Sequence, residues 1–254
     1  MTPMTELLNL EIYKYILIFL RVGSALMLMP GFMTTYVNTR QRLCIALAVT
    51  VVLSPFLSPL LPPAPTDFAE SLRLGFIEIT YGVILGLAMQ CLYFALSLAG
   101  SFAGQAIGFS NAQLFDPTTQ SQSIVLESFL SITALTVIFV TDLHHIMLSA
   151  VIDSYRLFPV GQSLMYGDWA DFFAKTVNDS FVVGFQVASP FIAFSIIFYC
   201  GMGLVSRLMP QLNIFFLSLP LQIYLGLGLL FITTPIMILW FLRYFENGLH
   251  QFLQ

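Results

Sequence analysis

Six stretches of almost unbroken apolar character, at about 12–30, 43–61, 74–103, 124–150, 180–205 and 214–242, divide this chain, with short polar or proline-rich connections between them. Each reaches the ~20 residues that a helix needs to cross hydrocarbon. An isolated strand is excluded there, because its backbone N–H and C=O groups would go unsatisfied in lipid. The pattern therefore predicts about six hydrophobic helices. Several should be kinked, since Pro190 falls inside the fifth run and Pro220 and Pro235 inside the sixth. Pro55, Pro59, Pro62, Pro63 and Pro65 crowd the end of the second run and predict that its helix gives way to an extended, stiff connection.

Composition narrows the class further. Hydrophobic residues make up 58% of the chain and charged residues 9%, against about a quarter charged in soluble domains, and the mean hydropathy is +0.88. This is the composition of an all-α integral membrane protein, and 254 residues leave no room beside six spans for a sizeable soluble domain. The N-terminal MTPMTELLNLE lacks the basic start and small-residue cleavage site of a secretory signal, so the first run is expected to stay in the mature protein. A net charge of −4 without a basic patch argues against nucleic acid as a partner. Arginines and lysines do not orient the chain: Arg40, Arg42 and Arg207 in alternate connections stand against Arg73, Arg156, Lys175 and Arg243 in the others.

Ionisable residues inside or at the ends of apolar runs are costly in lipid and normally face partners, water or the interface. Lys14 and Arg21, seven residues apart, share a helix face that Glu78 or Glu127 from a neighbouring helix would neutralise. A proton relay is the sharper reading of the same residues, but no second acid stands one helical turn from either carboxylate. Small residues form ridges: Gly82 and Gly86 in one G-x-x-x-G pair, Gly100, Gly104 and Gly108 in a double one, with Ala95, Ala99 and Ala103 on an adjacent row. Such spacing lets a second backbone approach closely, either within this chain or from another subunit.

The most unusual stretch follows the third run. Between Gly104 and Ser123 the chain offers Gln105, Ser110, Asn111, Gln113, Thr118, Thr119, Gln120, Ser121 and Gln122 with a single charge, Asp116, followed by Pro117. Neutral amides and hydroxyls suit a wet passage, and Phe109, Leu114 and Phe115 suit its closure by exclusion of water. A solvent-exposed connector is the plain alternative, but it would gain nothing from those three apolar side chains. The whole stretch reads as the lining or plug of a conduit.

Chemistry is sparse elsewhere. Cys44, Cys91 and Cys200 lie in apolar runs without metal-binding spacing and read as buried small hydrophobes. Asp142, His144 and His145 fall short of a zinc site, with only His250 as a further histidine; the pair is expected to mark the end of the fourth helix. No nucleophile elbow, zinc-protease, P-loop or dinucleotide motif occurs, so no catalytic residue, metal or cofactor is assigned. A small-molecule transporter would want an internal repeat, and none is visible.

The runs AGSFAGQAIGFSNAQLFDPTTQ at 99–120, SRLMPQLNIFFLSLPLQI at 206–223 and RVGSALMLMPGF near the start, with Arg40-Gln41-Arg42, resemble the FliR family, the export-gate membrane proteins of the bacterial flagellar type III secretion system. Virulence injectisomes carry a related subunit. The resemblance implies helical hairpins within a helical hetero-oligomer in the inner membrane, at the flagellar basal body. Its partners would be multiple copies of two small membrane proteins, FliP-like and FliQ-like, together with an FlhB-like switch protein, unfolded export substrates and membrane lipid. It further implies a first part, 1–175, like one partner and a second, 176–254, like the other. Residues 104–122 become the pore plug, carried by Gly104, Gln105, Gly108, Phe109, Asn111, Gln113, Leu114, Phe115, Asp116 and Pro117. Gly82, Gly86 and Gly100 become helix-packing positions, and Arg207, Pro210, Gln211 and Asn213 a structural loop or subunit contact.

Overall fold

The computed structural model describes residues 3–33, 37–63, 65, 67–109, 122–161, 166–209, 211 and 214–250. Among them the regular elements are α1 (Pro3–Leu28), α2 (Thr39–Leu57) with a short 3₁₀ turn at Ser58–Leu60, α3 (Phe68–Ile107), α4 (Gln122–Val140), α5 (Leu143–Leu157), α6 (Tyr166–Leu208) and α7 (Ile214–His250), and no strand is present among these residues. The protein is an all-α integral membrane protein. Among the described residues, four helical segments are long and apolar enough to cross a membrane, Thr39–Leu60, Phe68–Ile107, Trp169–Leu208 and Ser218–His250, or five if α4 and α5 together make one span. That is fewer than the six apolar runs. One difference lies in α1, whose apolar stretch also carries Glu11, Lys14 and Arg21 and which is not among these segments.

Two other departures have local causes. The fourth run is two helices, because α4 stops at Val140 and α5 restarts at Leu143 with Asp142 at φ 58°, the left-handed conformation, which an uninterrupted helix cannot contain. His144 and His145 consequently sit in the first turn of α5, not at the end of a helix. The second run does not stop at its first proline either, since Pro55 lies within α2. A proline there deprives the carbonyl four residues earlier of its helical partner. That carbonyl, Val51 C=O, instead accepts a hydrogen bond from the Ser54 hydroxyl at 2.9 Å. The same economy recurs in Thr50, Thr80, Thr133, Thr136 and Thr176, whose hydroxyls donate to the carbonyl one turn back and so place no unpaired polar group in an apolar setting.

The described chain divides into two compact units. The first comprises the described residues within 1–92, 142–176 and 246–254; the second comprises those within 93–141 and 177–245.

In the first unit, α1 packs on α2 and on the opening half of α3. Asp67 starts α3 by accepting from the Ala69 N–H through its carboxylate at 3.2 Å. The seam between α1 and α3 has one ridge from each helix. On α3, Glu78, Gly82 and Gly86 follow one another at four-residue steps and so lie on one face. A β-carbon on Gly82 would collide with Ser24 Oγ and the Arg21 carbonyl, and one on Gly86 would lie 2.7 Å from Leu28 Cβ and 2.8 Å from the Ala25 carbonyl oxygen. Glycine at these two positions brings the helices close enough for Arg21 to reach Glu78.

Arg21 and Glu78 are both 0% exposed. Arg21 Nε donates to Glu78 Oε2 at 2.6 Å and Nη2 to Glu78 Oε1 at 2.9 Å, a bidentate fork. The remaining donors are also placed: Nη1 on the Ser154 carbonyl (3.1 Å) and hydroxyl (3.4 Å), and Nη2 on the Phe158 carbonyl (3.0 Å). The guanidinium carbon lies 4.1 Å from the ring centre of Tyr155 and 4.9 Å from that of Tyr81. Tyr81 stacks on Phe158 at 5.4 Å and Phe158 meets Trp169 at 4.7 Å, which ties the start of α6 to the same cluster. Lys14, the other cation on this face of α1, is paired locally with Glu11 at 3.7 Å.

In the second unit, the later half of α3 is enclosed by α4, α6 and α7. Ala95, Ala99 and Ala103 are buried. A β-carbon on Gly100 would lie 2.8 Å from Glu127 Cα, and one on Gly184 of α6 would lie 2.9 Å from the Ala95 carbonyl oxygen. Among the described residues no cation pairs with Glu127. Its Oε1 accepts from the Ser97 hydroxyl at 3.0 Å. Tyr93 donates to the Ser131 carbonyl at 3.0 Å, and Ser180 and Tyr244 join α6 to α7 through their hydroxyls at 3.0 Å.

Two outcomes follow from the α1–α3 seam. Glu78→Ala leaves a buried guanidinium without its counter-charge and is expected to lose ~3–5 kcal/mol, read as a lower Tm in mild detergent; Arg21→Met combined with Glu78→Met should recover most of that loss. Gly86→Leu should lower stability by ~1–3 kcal/mol through overpacking. Gly201→Leu, at a site with no atom within 4 Å of the added carbon, should leave the same melting curve within ~0.5 kcal/mol of the parent.

Candidate functional site

The end of α3 is where the sequence changes from apolar to neutral polar, and its last turn with the two residues beyond it carries four of the residues singled out above. Gly104 and Gly108 are buried, Gln105 is exposed and Phe109 is half-buried. The helix closes on a tight turn in which the Gly108 N–H donates to the Gln105 carbonyl at 3.1 Å, and Gly108 has φ 92°, a conformation that glycine adopts without strain. Asn111, Gln113, Leu114, Phe115, Asp116 and Pro117 lie outside the described residues. So do Pro210 and Asn213 of the α6–α7 connection. Arg207 is exposed in the last turn of α6, where a cation complements the helix dipole, and Gln211 is exposed just beyond it.

The neighbours of the α3 end come from α6 and α7. Gln222, 2% exposed, donates through Nε2 to the Ala106 carbonyl at 2.9 Å and to the Tyr199 hydroxyl oxygen at 3.3 Å. Its amide also covers Gly108, where a β-carbon would lie 3.1–3.2 Å from the three atoms of the amide group. One turn along α7, Gly226 faces Ile107, and a β-carbon there would lie 2.5–3.0 Å from three atoms of the isoleucine. The sequence argument missed Gln222. Its signal was present, in an amide inside the apolar run Leu219–Leu230 with a glycine four residues on.

Asp142, His144 and His145 do bring potential metal-ligand atoms within 4.8 Å of one another. All three come from one turn, the Asp142 carboxylate is already 3.5 Å from His145 Nδ1, and the two imidazoles stack at 4.1 Å. Between α6 and α7 lies a half-open cavity of about 360 Å³, lined by Gln186, Pro190, Thr233, Met237 and Trp240 among others. Its walls are mostly apolar, and Pro190 interrupts the helical bonding of α6 beside it.

The family described as bacterial export proteins, family 1, matches residues 12–248. A flagellar biosynthetic protein FliR from Caulobacter vibrioides is 34% identical over 237 residues, covering 93% of this chain and 94% of that protein. The FliR proteins of Bacillus subtilis and Escherichia coli are 29% and 27% identical, with 87% and 85% of this chain and 86% and 82% of theirs covered. These relatives are named for flagellar biosynthesis and not for an enzymatic activity. With the family match running from α1 into α7, the chain belongs to the FliR family of the flagellar type III export apparatus.

Proposed function

We propose that this chain is a structural and gating subunit of the flagellar export gate, and that residues 104–122 plug a passage through which unfolded flagellar proteins leave the cell. The observation that carries the reading is the abrupt end of an apolar, enclosed helix at Gly108, followed by neutral amides and hydroxyls with the apolar side chains Phe109, Leu114 and Phe115. Small neutral groups bind no single cargo charge tightly, and bulky apolar groups close a narrow passage by dewetting it. The flagellar names of the relatives favour the flagellar gate over its injectisome counterpart.

In this reading the subunit works mechanically and makes or breaks no covalent bond. It sits in the bacterial inner membrane within the basal body, against FliP-like and FliQ-like subunits and beside an FlhB-like protein. Residues 1–175 take the place of one small partner and 176–254 that of the other in a helical ring. The exposed apolar surface supports burial against such neighbours or lipid: Phe231 is 85% exposed and Tyr224 78%, with Phe56, Phe76 and Ile197 also outward. Arg207, Pro210, Gln211 and Asn213 would form a contact at the turn of the second hairpin.

Deleting residues 111–119 tests the plug. The complex should assemble at the parent yield and show increased resting ion conductance in proteoliposomes. A shortened complex as tight to ions as the parent would overturn the reading.

A further inference from the structure

A plug that opens and reseats needs a fixed root, and the described residues at the end of α3 contain one. The last carbonyls of a helix have no partner inside it and must be satisfied from elsewhere. At Ala106 the partner is the side chain of Gln222, from a different helix and 116 residues away in sequence, at 2.9 Å. Gln222 and Gly226 stand four residues apart on α7 and so share a face. The first holds Ala106 and covers Gly108; the second admits Ile107 into the space a side chain would fill. Together they grip three consecutive residues, the last of them the glycine at which the chain turns out of α3 with φ 92°.

A primary amide is an expensive choice for a buried position in an apolar helix unless its hydrogen bonds are made. Gln222 donates to two acceptors on two other helices, Ala106 on α3 and Tyr199 on α6. An apolar side chain of the same length would fill the site without either bond. Packing alone therefore does not account for the amide.

We propose that Gln222 is a positioning residue that latches the root of the plug, fixing the direction in which the chain leaves α3 and so keeping the passage closed at rest. The inference rests on residues 104–122 acting as the plug. The latch works by hydrogen-bond donation to a backbone carbonyl, so what matters is the Nε2 donor and not the bulk of the side chain.

The test compares Gln222→Met, Gln222→Glu and the 111–119 deletion, each in the complete export complex reconstituted into proteoliposomes and read by resting ion conductance. Gln222→Met keeps length and apolarity but has no donor. It should assemble at the parent yield and raise resting conductance roughly tenfold, the shift in a local equilibrium that the loss of one buried hydrogen bond produces. Gln222→Glu is the conservative variant. Its carboxyl group donates to the Ala106 carbonyl when protonated and cannot when ionised, so its leak should fall on acidification while those of Gln222→Met and the parent do not follow. A leaky deletion variant beside a tight Gln222→Met complex overturns the latch and leaves the plug standing. Tight complexes from both overturn the two together. Should Gln222→Met fail to assemble, Gln222→Glu decides alone: a leak indifferent to acidification overturns the latch, and one that closes supports it.

Discussion

A permanently charged guanidinium with no exposure to solvent is the constraint around which the first unit is built. Arg21 cannot shed its charge, and removing one from water is favourable only when counter-charge and hydrogen bonds replace the lost hydration. Here all five N–H donors find acceptors, two on the Glu78 carboxylate and three on Ser154 and Phe158. Those acceptors come from α3, from α5 and from the turn after α5. The three segments must therefore meet at one point before Arg21 can be buried. The geometry that allows it is steric: Gly82 and Gly86 continue the ridge that begins with Glu78, so close approach and charge pairing belong to one seam. The pair then favours one register of α1 on α3, because a slip by one turn would separate the charges.

The second unit is joined by single hydrogen bonds in place of a buried, bidentate ion pair. Glu127 is held by the Ser97 hydroxyl, Tyr93 by the Ser131 carbonyl, and the end of α3 by Gln222. Single hydrogen bonds of this kind contribute about 1 kcal/mol each, against several for a buried ion pair broken on one side.

Much of this was legible in the residues. The apolar runs located the helices, and the spacing of Lys14 and Arg21 with the acids of later runs pointed to an ion pair, which forms between Arg21 and Glu78 while Lys14 pairs with Glu11. What escaped was decided by satisfaction of individual backbone groups, to which hydrophobic periodicity is blind. Pro55 reads as a helix stop, but Ser54 relieves the carbonyl it strands. The run 124–150 reads as one helix, although Asp142 adopts a left-handed conformation that no apolar pattern announces. Within the candidate site, composition marks the end of α3 but not Gln222, whose partner is a backbone atom 116 residues earlier.

Length has a consequence of its own for α3, which at 40 residues is ~60 Å long. A hydrocarbon layer is ~30 Å thick, so lying wholly inside it would demand a tilt of about 60°, beyond the 0–40° that membrane helices adopt. Part of this helix therefore lies beyond the hydrocarbon layer, where packing against other helices, as α4, α6 and α7 pack on its later half, covers it in place of lipid. Lipid alone is thus an incomplete solvent for the subunit.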